Sequence, residues 1–267
     1  MLARGKAAII FSATLSPLPY YRDILGGNED DGLASLPSPF DPDRLLTIAH
    51  SGISTKFADR EASYTPIAHT LYAIVSRRAG NYFAFFPSYE YMRNVHEQFT
   101  RLYPDVDTMM QESEMPEEAR EDFLRAFAAD NTKTLIGFVV LGGIFSEGID
   151  LKGDRLIGAI ITSVGIPRVS LRQELIMDYF ERKNGQGYDY AYTYPGINKV
   201  LQAAGRVIRT ETDSGVVVLI DHRYSWGKYR ALLPRHWNNV RGVWDLAQLE
   251  QTLGAFAITN YELRITN

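Results

Sequence analysis

The segment LIGFVVLGGIFSEGIDL, residues 135–151, decides the fold, because it joins an apolar run to a glycine-rich polar turn. The run at 135–141 is rich in Ile, Val and Phe and lacks polar alternation, as expected of a parallel strand covered on both faces. In parallel sheets, ligands bind beyond the carboxyl ends of the strands. We therefore predict a buried strand at 135–141 that delivers residues 142–151 to a ligand-binding edge.

The same pattern recurs along the chain, with helical patterns between the apolar runs. The predicted strands are 7–11, 45–49, 82–86, 135–141, 156–162 and 216–220. The predicted helices are 18–26, 64–79, 88–102, 117–129, 170–183, 197–209 and 244–257. We predict long loops at 26–42 and 184–195, and a last strand or tail at the end. This alternation predicts an α/β fold with a doubly wound, mostly parallel sheet and helices on both faces.

Composition excludes several kinds of site. The chain has 267 residues, no cysteine and a formal net charge of −4. Without cysteine it can form no disulfide, thiolate zinc site, iron–sulfur ligation or cysteine nucleophile of its own. Its longest apolar run, 135–145, is about half of the roughly 20 residues that a spanning helix needs, so we expect no membrane association. Residues 199–235 carry seven basic and three acidic residues, a local excess that can bind an anion.

Residues 202–209, QAAGRVIR, form the strongest candidate site. On a helix, Gln202, Arg206 and Arg209 stand at i, i+4 and i+7 and point to one side. Two guanidinium groups and an amide on one face make a donor array suited to phosphate oxygens. Gly205 removes a side chain where a ligand or a neighbouring backbone must come close.

The turn at 142–151 is the second candidate. Glu147 and Asp150 can accept hydrogen bonds from ribose hydroxyls or from a facing arginine. Both candidates have simpler alternatives. The arginines could belong to a solvated basic face or pair with Glu211 and Asp213, and the paired glycines at 142–143 could serve only a tight turn.

Two strand-to-helix junctions carry hydroxyl groups. Ser12 and Thr14 lie between the predicted strand at 7–11 and Pro17, and Ser88 follows the predicted strand at 82–86. Such hydroxyls cap the next helix or contact a phosphate. The sequence has no GxxxxGK[ST], GxGxxG, HExxH or GxSxG motif, and its histidines lack ligand spacing. We therefore find no self-contained active site in the chain.

Together, in this order, the motifs resemble the second motor domain of superfamily 2 DNA helicases, in the DinG/XPD (Rad3-related) branch. The matching segments are SATLSP at 12–17 (motif III), FFPSY at 85–89 (motif IV), SEGIDL at 146–151 (motif V) and QAAGRVIR at 202–209 (motif VI). DHRY at 221–224 matches the Asp-x-Arg-aromatic tail of the branch, and GIPR at 165–168 occupies the place of its Gly-x-Pro segment. The resemblance covers nearly the whole chain.

The resemblance implies that residues 1–267 are the second, C-terminal RecA-like domain of a helicase whose first motor domain lies outside this chain. ATP and Mg²⁺ would be bound mainly by that first domain, and any iron–sulfur cluster would also belong there. The implied partners are single-stranded DNA and the first domain. The implied activity is ATP-driven translocation, 5′ to 3′ in this branch, in a cytoplasmic repair protein that is nucleoid-associated if bacterial. This chain alone is expected to be inactive.

The resemblance also implies roles for individual residues. Arg206 and Arg209 would be finger-like arginines that reach the γ-phosphate, and Gln202 would orient near the attacking water. The residues implied in ATP binding and coupling are Glu147, Gly148, Asp150 and Gly205. The residues implied in DNA binding are Ser12, Thr14, Ser88 and Tyr89, whose ring can stack on bases.

Two rival functions stay open at this point. The first is a non-catalytic nucleic-acid-binding module that keeps a RecA-like fold. The second is a metabolic α/β enzyme that uses a mononucleotide, which the missing glycine-rich phosphate loop disfavours.

Overall fold

A computed structural model of the protein describes residues 6–146, 149–237 and 240–265, with side chains described as far as residue 255. In this part of the chain, seven strands form one wholly parallel sheet in the order β3-β4-β2-β5-β6-β1-β7. The strands are β1 (Leu45–His50), β2 (Asn81–Phe86), β3 (Asp107–Met110), β4 (Leu135–Val140), β5 (Gly158–Thr162), β6 (Gly215–Ile220) and β7 (Arg241–Val243).

Helices cover both faces of this sheet. They are α1 (Leu18–Ile24), α2 (Arg60–Val75), α3 (Tyr89–Leu102), α4 (Glu117–Ala126), α5 (Leu171–Asn184), α6 (Tyr194–Ala204), α7 (Gly227–Ala231) and α8 (Leu246–Ile265). Side chains of α2, α3 and α8 pack into the core on one face, and side chains of α4, α6 and α7 pack into the core on the other. The predicted doubly wound α/β class is therefore confirmed.

Strand β2 shows why the apolar runs lack polar alternation. Tyr82, Ala84 and Phe86 point into one core, whereas Phe83 and Phe85 point into the other. Successive side chains of a strand alternate between the two faces of its sheet, so a strand covered on both sides must be apolar throughout. Each buried phenylalanine contributes about 1.5–3 kcal/mol to folding.

The predicted strand at 7–11 is wrong. This segment forms no strand, and the side chains of Ile9 and Phe11 are 88% and 87% exposed. A strand requires a neighbour with available backbone groups. No strand of the described sheet pairs with this segment, and its apolar side chains are exposed instead of covered.

The predicted loop at 184–195 is also wrong. Gly185 ends α5 in the left-handed conformation at φ 70°, but the chain soon re-enters a helical path with a π-helical turn at Asp189–Thr193. Tyr190 stacks on Phe180 with the ring centroids 3.9 Å apart and so becomes buried. The polar composition of this segment conceals tyrosines that bury their rings against α1 and α5. The other predicted loop, at 26–42, is confirmed, apart from a short 3₁₀ turn that begins at Pro42.

The edges of the sheet and the end of the chain also depart from prediction. Strands β3 and β7 are short and partly exposed, so they carry no apolar run that would predict them. The predicted helix at 244–257 is confirmed as α8, but α8 continues to Ile265, so the predicted last strand or tail is wrong. None of the described helices is long and apolar enough to cross a lipid bilayer.

Strand register brings the candidate segments together. In the β2–β4 pair, Phe86 lies opposite Val140, so the segments that begin with Ser88 and Gly142 leave the sheet side by side. The ends of β5, β6 and β1 follow along the same edge. The edge at the carboxyl ends of the strands is where parallel sheets place their ligands.

Candidate functional site

Arg206 lies two residues beyond the end of α6 and faces the loop between β4 and β5. Its Nε donates to the carbonyl oxygen of Ser146 at 3.1 Å, and its Nη1 donates to that of Ile149 at 3.0 Å. A guanidinium group donates in a fixed fork geometry, so two such bonds set the orientation of both partners. The structure therefore joins the two candidate segments through bonds between residues that are 60 and 57 positions apart in the sequence.

Arg209 reaches the same loop through a charged partner. Its Nη2 donates to Oδ1 of Asp150 at 3.0 Å, and the Nζ of Lys152 lies 3.1 Å from Oδ2 of the same carboxylate. The side chains of Arg209, Asp150 and Lys152 are 31%, 49% and 62% exposed. Two hydrogen bonds lower the pKa of Asp150, and the bond from Lys152 has a larger effect than the bond from Arg209. The predicted pairing of Asp150 with a facing arginine is confirmed.

The predicted helix at 197–209 is wrong at its end, and the spacing argument fails with it. Helix α6 ends at Ala204 and Gly205 follows as its C-cap, so Arg206 and Arg209 are not on the helix that carries Gln202. Asp213 explains the change of path, because its Oδ2 accepts the backbone N–H of Arg209 at 2.7 Å. Side-chain acceptors of this kind compete with helical hydrogen bonds.

The alternative pairings also fail in part. Asp213 binds the backbone of Arg209, but the guanidinium of Arg209 binds Asp150 instead. Gly205 approaches the carbonyl oxygen of Leu201 in its own helix, where an added Cβ would lie 3.2 Å away. The side chain of Gln202 is half-buried and makes no hydrogen bond within the described part of the chain.

The turn after β4 is held by a buried hydroxyl. Ser146 is fully buried, and its Oγ accepts the N–H of Gly142 at 2.9 Å. Gly142 has φ 74°, and the N–H of Gly143 donates to the carbonyl oxygen of Val140 at 3.1 Å, so the tight-turn role of the paired glycines is confirmed. Glu147 and Gly148, the centre of the predicted coupling segment, lie outside the described residues.

Ser88 and Tyr89 lie at the start of α3, next to this turn. The Oγ of Ser88 accepts the N–H of Tyr91 at 3.3 Å, so the capping role is confirmed. Tyr89 is half-buried, and its hydroxyl accepts a hydrogen bond of 2.8 Å from Nε2 of Gln111. The Oε1 of Gln111 in turn accepts the N–H of Val140 at 2.8 Å.

Gln111 is a connecting residue that the sequence did not indicate. It is buried, and it links the hydroxyl of Tyr89 to the last residue of β4, immediately before the glycine turn. It lies within an acidic stretch with no recognisable motif, so no local pattern distinguishes it. One amide side chain therefore links motif IV to the end of β4, and Ser146 of motif V donates its hydroxyl to the carbonyl oxygen of the same Val140 at 3.3 Å.

Ser12 and Thr14 are placed apart from this network. Their hydroxyl oxygens are 3.3 Å from each other, and the Oγ of Ser12 accepts the N–H of Thr14. Neither caps the next helix, because α1 begins after Pro17 without a side-chain cap. The capping alternative is therefore wrong for this junction, and both side chains lie on an accessible surface.

The Asp-x-Arg tail is a buried ion pair at the end of β6. Oδ1 of Asp221 accepts Nε of Arg223 at 2.7 Å, and Oδ2 accepts Nη2 at 2.9 Å. The backbone N–H and the hydroxyl of Thr55 also donate to Oδ2. Burial by itself raises the pKa of Asp221, but the hydrogen bonds and charge of Arg223 outweigh it and hold the pKa below its usual value. Asp221 therefore ties the loop after β1 to the end of β6.

The described residues do not form a site for Mg²⁺. Among them, no group of three or more His, Asp or Glu side chains could hold a metal ion. Asp150, the carboxylate that Arg209 binds, also lies 3.1 Å from the Nζ of Lys152.

Comparison with known proteins identifies a family. A family model described as the helicase C-terminal domain matches residues 71–240. The ATP-dependent DNA helicase DinG of Photobacterium profundum is 31% identical over 247 residues, covering 86% of this chain and 34% of that protein. The ATP-dependent DNA helicase YoaA of Escherichia coli is 28% identical over 242 residues, covering 86% of this chain and 35% of that protein.

Solved structures agree with the fold. The structure of an XPD helicase matches with a TM-score of 0.67 at 20% identity, covering 87% of this chain and 41% of that one. At this level of identity the match shows a shared RecA-like fold. The chain spans about a third of the length of the curated relatives it matches.

Proposed function

This chain belongs to the helicase C-terminal domain family, among the DinG- and XPD-type superfamily 2 helicases, and from that premise we propose its role in the helicase reaction. We propose that residues 1–267 form the second motor domain of an ATP-dependent DNA helicase. In this role the chain supplies arginines to an ATP site and part of a single-stranded DNA track. The phosphate loop and the Mg²⁺ site belong to a first motor domain outside this chain.

The observation that carries the proposal is the meeting of Arg206 and Arg209 with one loop. Arg209 is partly exposed, and within the described residues its guanidinium group donates one hydrogen bond, to Asp150, out of the five that such a group can donate. It can therefore bind a phosphate oxygen while it keeps its carboxylate partner. Arg206 is fixed by two backbone carbonyl groups, which positions it beside Arg209.

The chemistry follows from charge. Hydrolysis of ATP spreads negative charge over the γ-phosphoryl oxygens in the transition state, and a positioned guanidinium group stabilises that charge. We assign this role to Arg206 and Arg209. We assign the orientation of the attacking water to Gln202, whose amide has no competing hydrogen bond in the described part of the chain.

In this proposal, the loop that the arginines bind couples the nucleotide state to the DNA-binding residues. Any movement of the loop that accompanies nucleotide binding acts on Ser146 and Asp150, and we include Glu147, Gly148 and the cap residue Gly205 in this unit. Ser146 is bonded to the turn after β4, and that turn adjoins Gln111 and Tyr89. The DNA-binding residues of this proposal are Ser12, Thr14, Ser88 and Tyr89.

The test uses the longer protein that joins this chain to its phosphate-loop domain. In Arg206→Ala and Arg209→Ala variants, we expect the kcat of DNA-stimulated ATP hydrolysis to fall by about 10³-fold or more, as for other arginine fingers. We expect the Kd for single-stranded DNA to change by less than about threefold, since neither side chain belongs to the track. Arg182→Ala, which removes an exposed arginine of α5, is the matched control and should leave both quantities unchanged.

The opposite result would favour a non-catalytic nucleic-acid-binding module. In that case ATP hydrolysis would be indifferent to both arginines, while DNA affinity would fall and its salt dependence would become shallower.

A further inference from the structure

A cluster of aromatic and basic side chains lies after the ends of β1 and β6, outside every motif named above. We propose that Phe57, Arg60 and Trp226, together with Lys56, form a platform that stacks the bases of single-stranded nucleic acid and extends the track beyond Ser88 and Tyr89. We call this surface the aromatic platform. The inference deepens the proposed function, on which it rests, by adding a binding site for the same strand.

Both rings of the platform are accessible and each carries a cation. Phe57 is 83% exposed, and Cζ of Arg60 lies 5.3 Å from its ring centroid. Trp226 is 46% exposed, and Nζ of Lys56 lies 5.9 Å from its ring centroid. Single exposed rings are ordinary on protein surfaces, but two rings paired with two cations on adjacent loops are the combination that binds single strands.

Buried hydrogen bonds hold the loop after β1 and the loop after β6 together. Asp221 accepts the N–H and hydroxyl of Thr55, one residue before Lys56, and it also caps the turn that leads to Trp226. His222 packs edge-on against Trp226 with the ring centroids 5.3 Å apart. The buried ion pair of Asp221 therefore fixes both halves of the platform, so little ordering is needed when a strand binds.

Arg60 connects the platform to the motif IV helix. Its Cζ lies 4.9 Å from the ring centroid of Tyr91, in the first turn of α3 that Ser88 caps. The Nε of Arg60 is buried without a hydrogen-bond partner, and its guanidinium forms no ion pair within the described residues. The buried Nε is not accessible to a ligand, so in our proposal only the terminal amino groups of Arg60 meet a phosphate, between the strand's contacts at Tyr89 and Phe57.

The charge of the segment points to stacking as the main source of binding. Lys56 and Arg60 are offset by Asp59, whose carboxylate accepts the hydroxyl of Ser54 at 2.6 Å, and by Glu61. A surface with balanced charge gives little attraction to a duplex backbone, but its rings still stack on unpaired bases. The occupant that fits is a single strand with accessible bases.

The experiment measures equilibrium binding of the longer protein to fluorescent oligo-dT and to an oligonucleotide of equal length with abasic sites throughout. We expect Phe57→Ala and Trp226→Ala each to weaken oligo-dT binding by about 5- to 100-fold, as loss of one stacked base does. Binding to the abasic strand should change by less than about twofold. Tyr179→Ala removes a 56% exposed ring on α5 and is the matched control. Thermal unfolding of each variant checks that the fold is kept, as the exposure of both rings leads us to expect.

The outcomes separate the two proposals. If Tyr89→Ala weakens oligo-dT binding while Phe57→Ala and Trp226→Ala bind like the wild type, the aromatic platform is overturned and the helicase function stands. Equal losses on oligo-dT and on the abasic strand would overturn base stacking. Unchanged DNA binding with a lost contact to another protein would also overturn the inference, in favour of a protein-docking surface. If the wild type binds no single-stranded DNA, the proposed function itself fails.

Discussion

At the scale of single residues, the Arg209–Asp150 pair lies on the surface and should contribute little to stability. The side chains are 31% and 49% exposed, and solvent screens the attraction between charges at the surface. We therefore expect the urea denaturation curves of Arg209→Ala and Asp150→Asn, recorded on this chain, to overlay the wild-type curve. A clear shift of the midpoint to lower urea would mean that reduced ATP hydrolysis reports unfolding, and it would contradict the proposed role of Arg209.

Asp221 should behave in the opposite way, because it is buried and paired. Removing one partner of a buried ion pair costs about 3–5 kcal/mol, so Asp221→Asn should destabilise the chain by this amount at pH 7. The pKa of Asp221 is lower in the folded chain than in the unfolded one, where it is about 3.9. The contribution of ionised Asp221 to the free energy of unfolding is therefore complete above about pH 4. It is lost as the pH falls through the pKa that Asp221 has in the folded chain.

The pH dependence gives a separate measurement. The wild type should lose stability more steeply below about pH 4 than Asp221→Asn does, in denaturation curves recorded from pH 6 downwards. Identical acid profiles for the wild type and Asp221→Asn would show that this carboxylate is not held ionised by Arg223.

The sequence predicted part of the site at this scale. The residue types left two acceptor roles open for Asp150, toward ribose hydroxyls or toward a facing arginine, and the structure shows the bond to Arg209. Gln111 and Phe57 could not be predicted in the same way. The role of Gln111 depends on its contact with Tyr89, 22 residues away, and the proposed role of Phe57 depends on its exposure beside the loop of Trp226, which no local pattern encodes.

At the scale of elements, Ser88 has a structural role and a proposed DNA-binding role that one pair of variants separates. Ser88→Ala should lower the free energy of unfolding by about 1 kcal/mol, because the cap of α3 is lost. Ser88→Asp keeps a capping oxygen, so stability should be retained, but its negative charge should weaken binding of single-stranded DNA by severalfold. Denaturation and DNA titration of both variants check this, and wild-type DNA affinity in Ser88→Asp would exclude Ser88 from the track.

Element boundaries were the least predictable feature, and α6 shows why. The apolar residues Val207 and Ile208 continue the helical pattern past the observed end at Ala204. The path is decided instead by Asp213, which accepts backbone N–H groups at Arg209 and at the following residue. Strong apolar runs predicted the central strands, whereas the short edge strands and the tyrosine-rich π-helical turn depend on tertiary packing.

The GIPR segment shows a close contact between elements. Gly165 has φ 71°, and a Cβ at this position would lie 2.3 Å from the carbonyl oxygen of Gly196 in α6. Gly165→Ala must therefore displace α6 or the end of β5. We expect a destabilised chain, measured as a lowered Tm, with Gly153→Ala as a control that shares the positive φ but meets no neighbouring atom. An unchanged Tm in Gly165→Ala would contradict the tight packing of this segment on α6.

At the scale of the whole molecule, the chain is one part of a larger catalytic arrangement in our proposal. It spans about a third of the length of the relatives it matches, and its sequence contains no GxxxxGK[ST] phosphate loop. We therefore expect this chain alone to show no DNA-stimulated ATP hydrolysis above background in a steady-state assay. Robust turnover by residues 1–267 would mean that a complete ATP site lies within them.

The central claim is that the guanidinium groups of Arg206 and Arg209 act on a nucleotide held mainly by another domain. The most direct test is the single-turnover rate of ATP hydrolysis by the longer protein, with Arg206→Lys and Arg209→Lys combined and single-stranded DNA saturating. Lysine keeps the charge but loses the planar fork of donors. We predict ATP affinity within about threefold of the wild type and hydrolysis at least about 100-fold slower. Hydrolysis within about twofold of the wild-type rate would contradict the account.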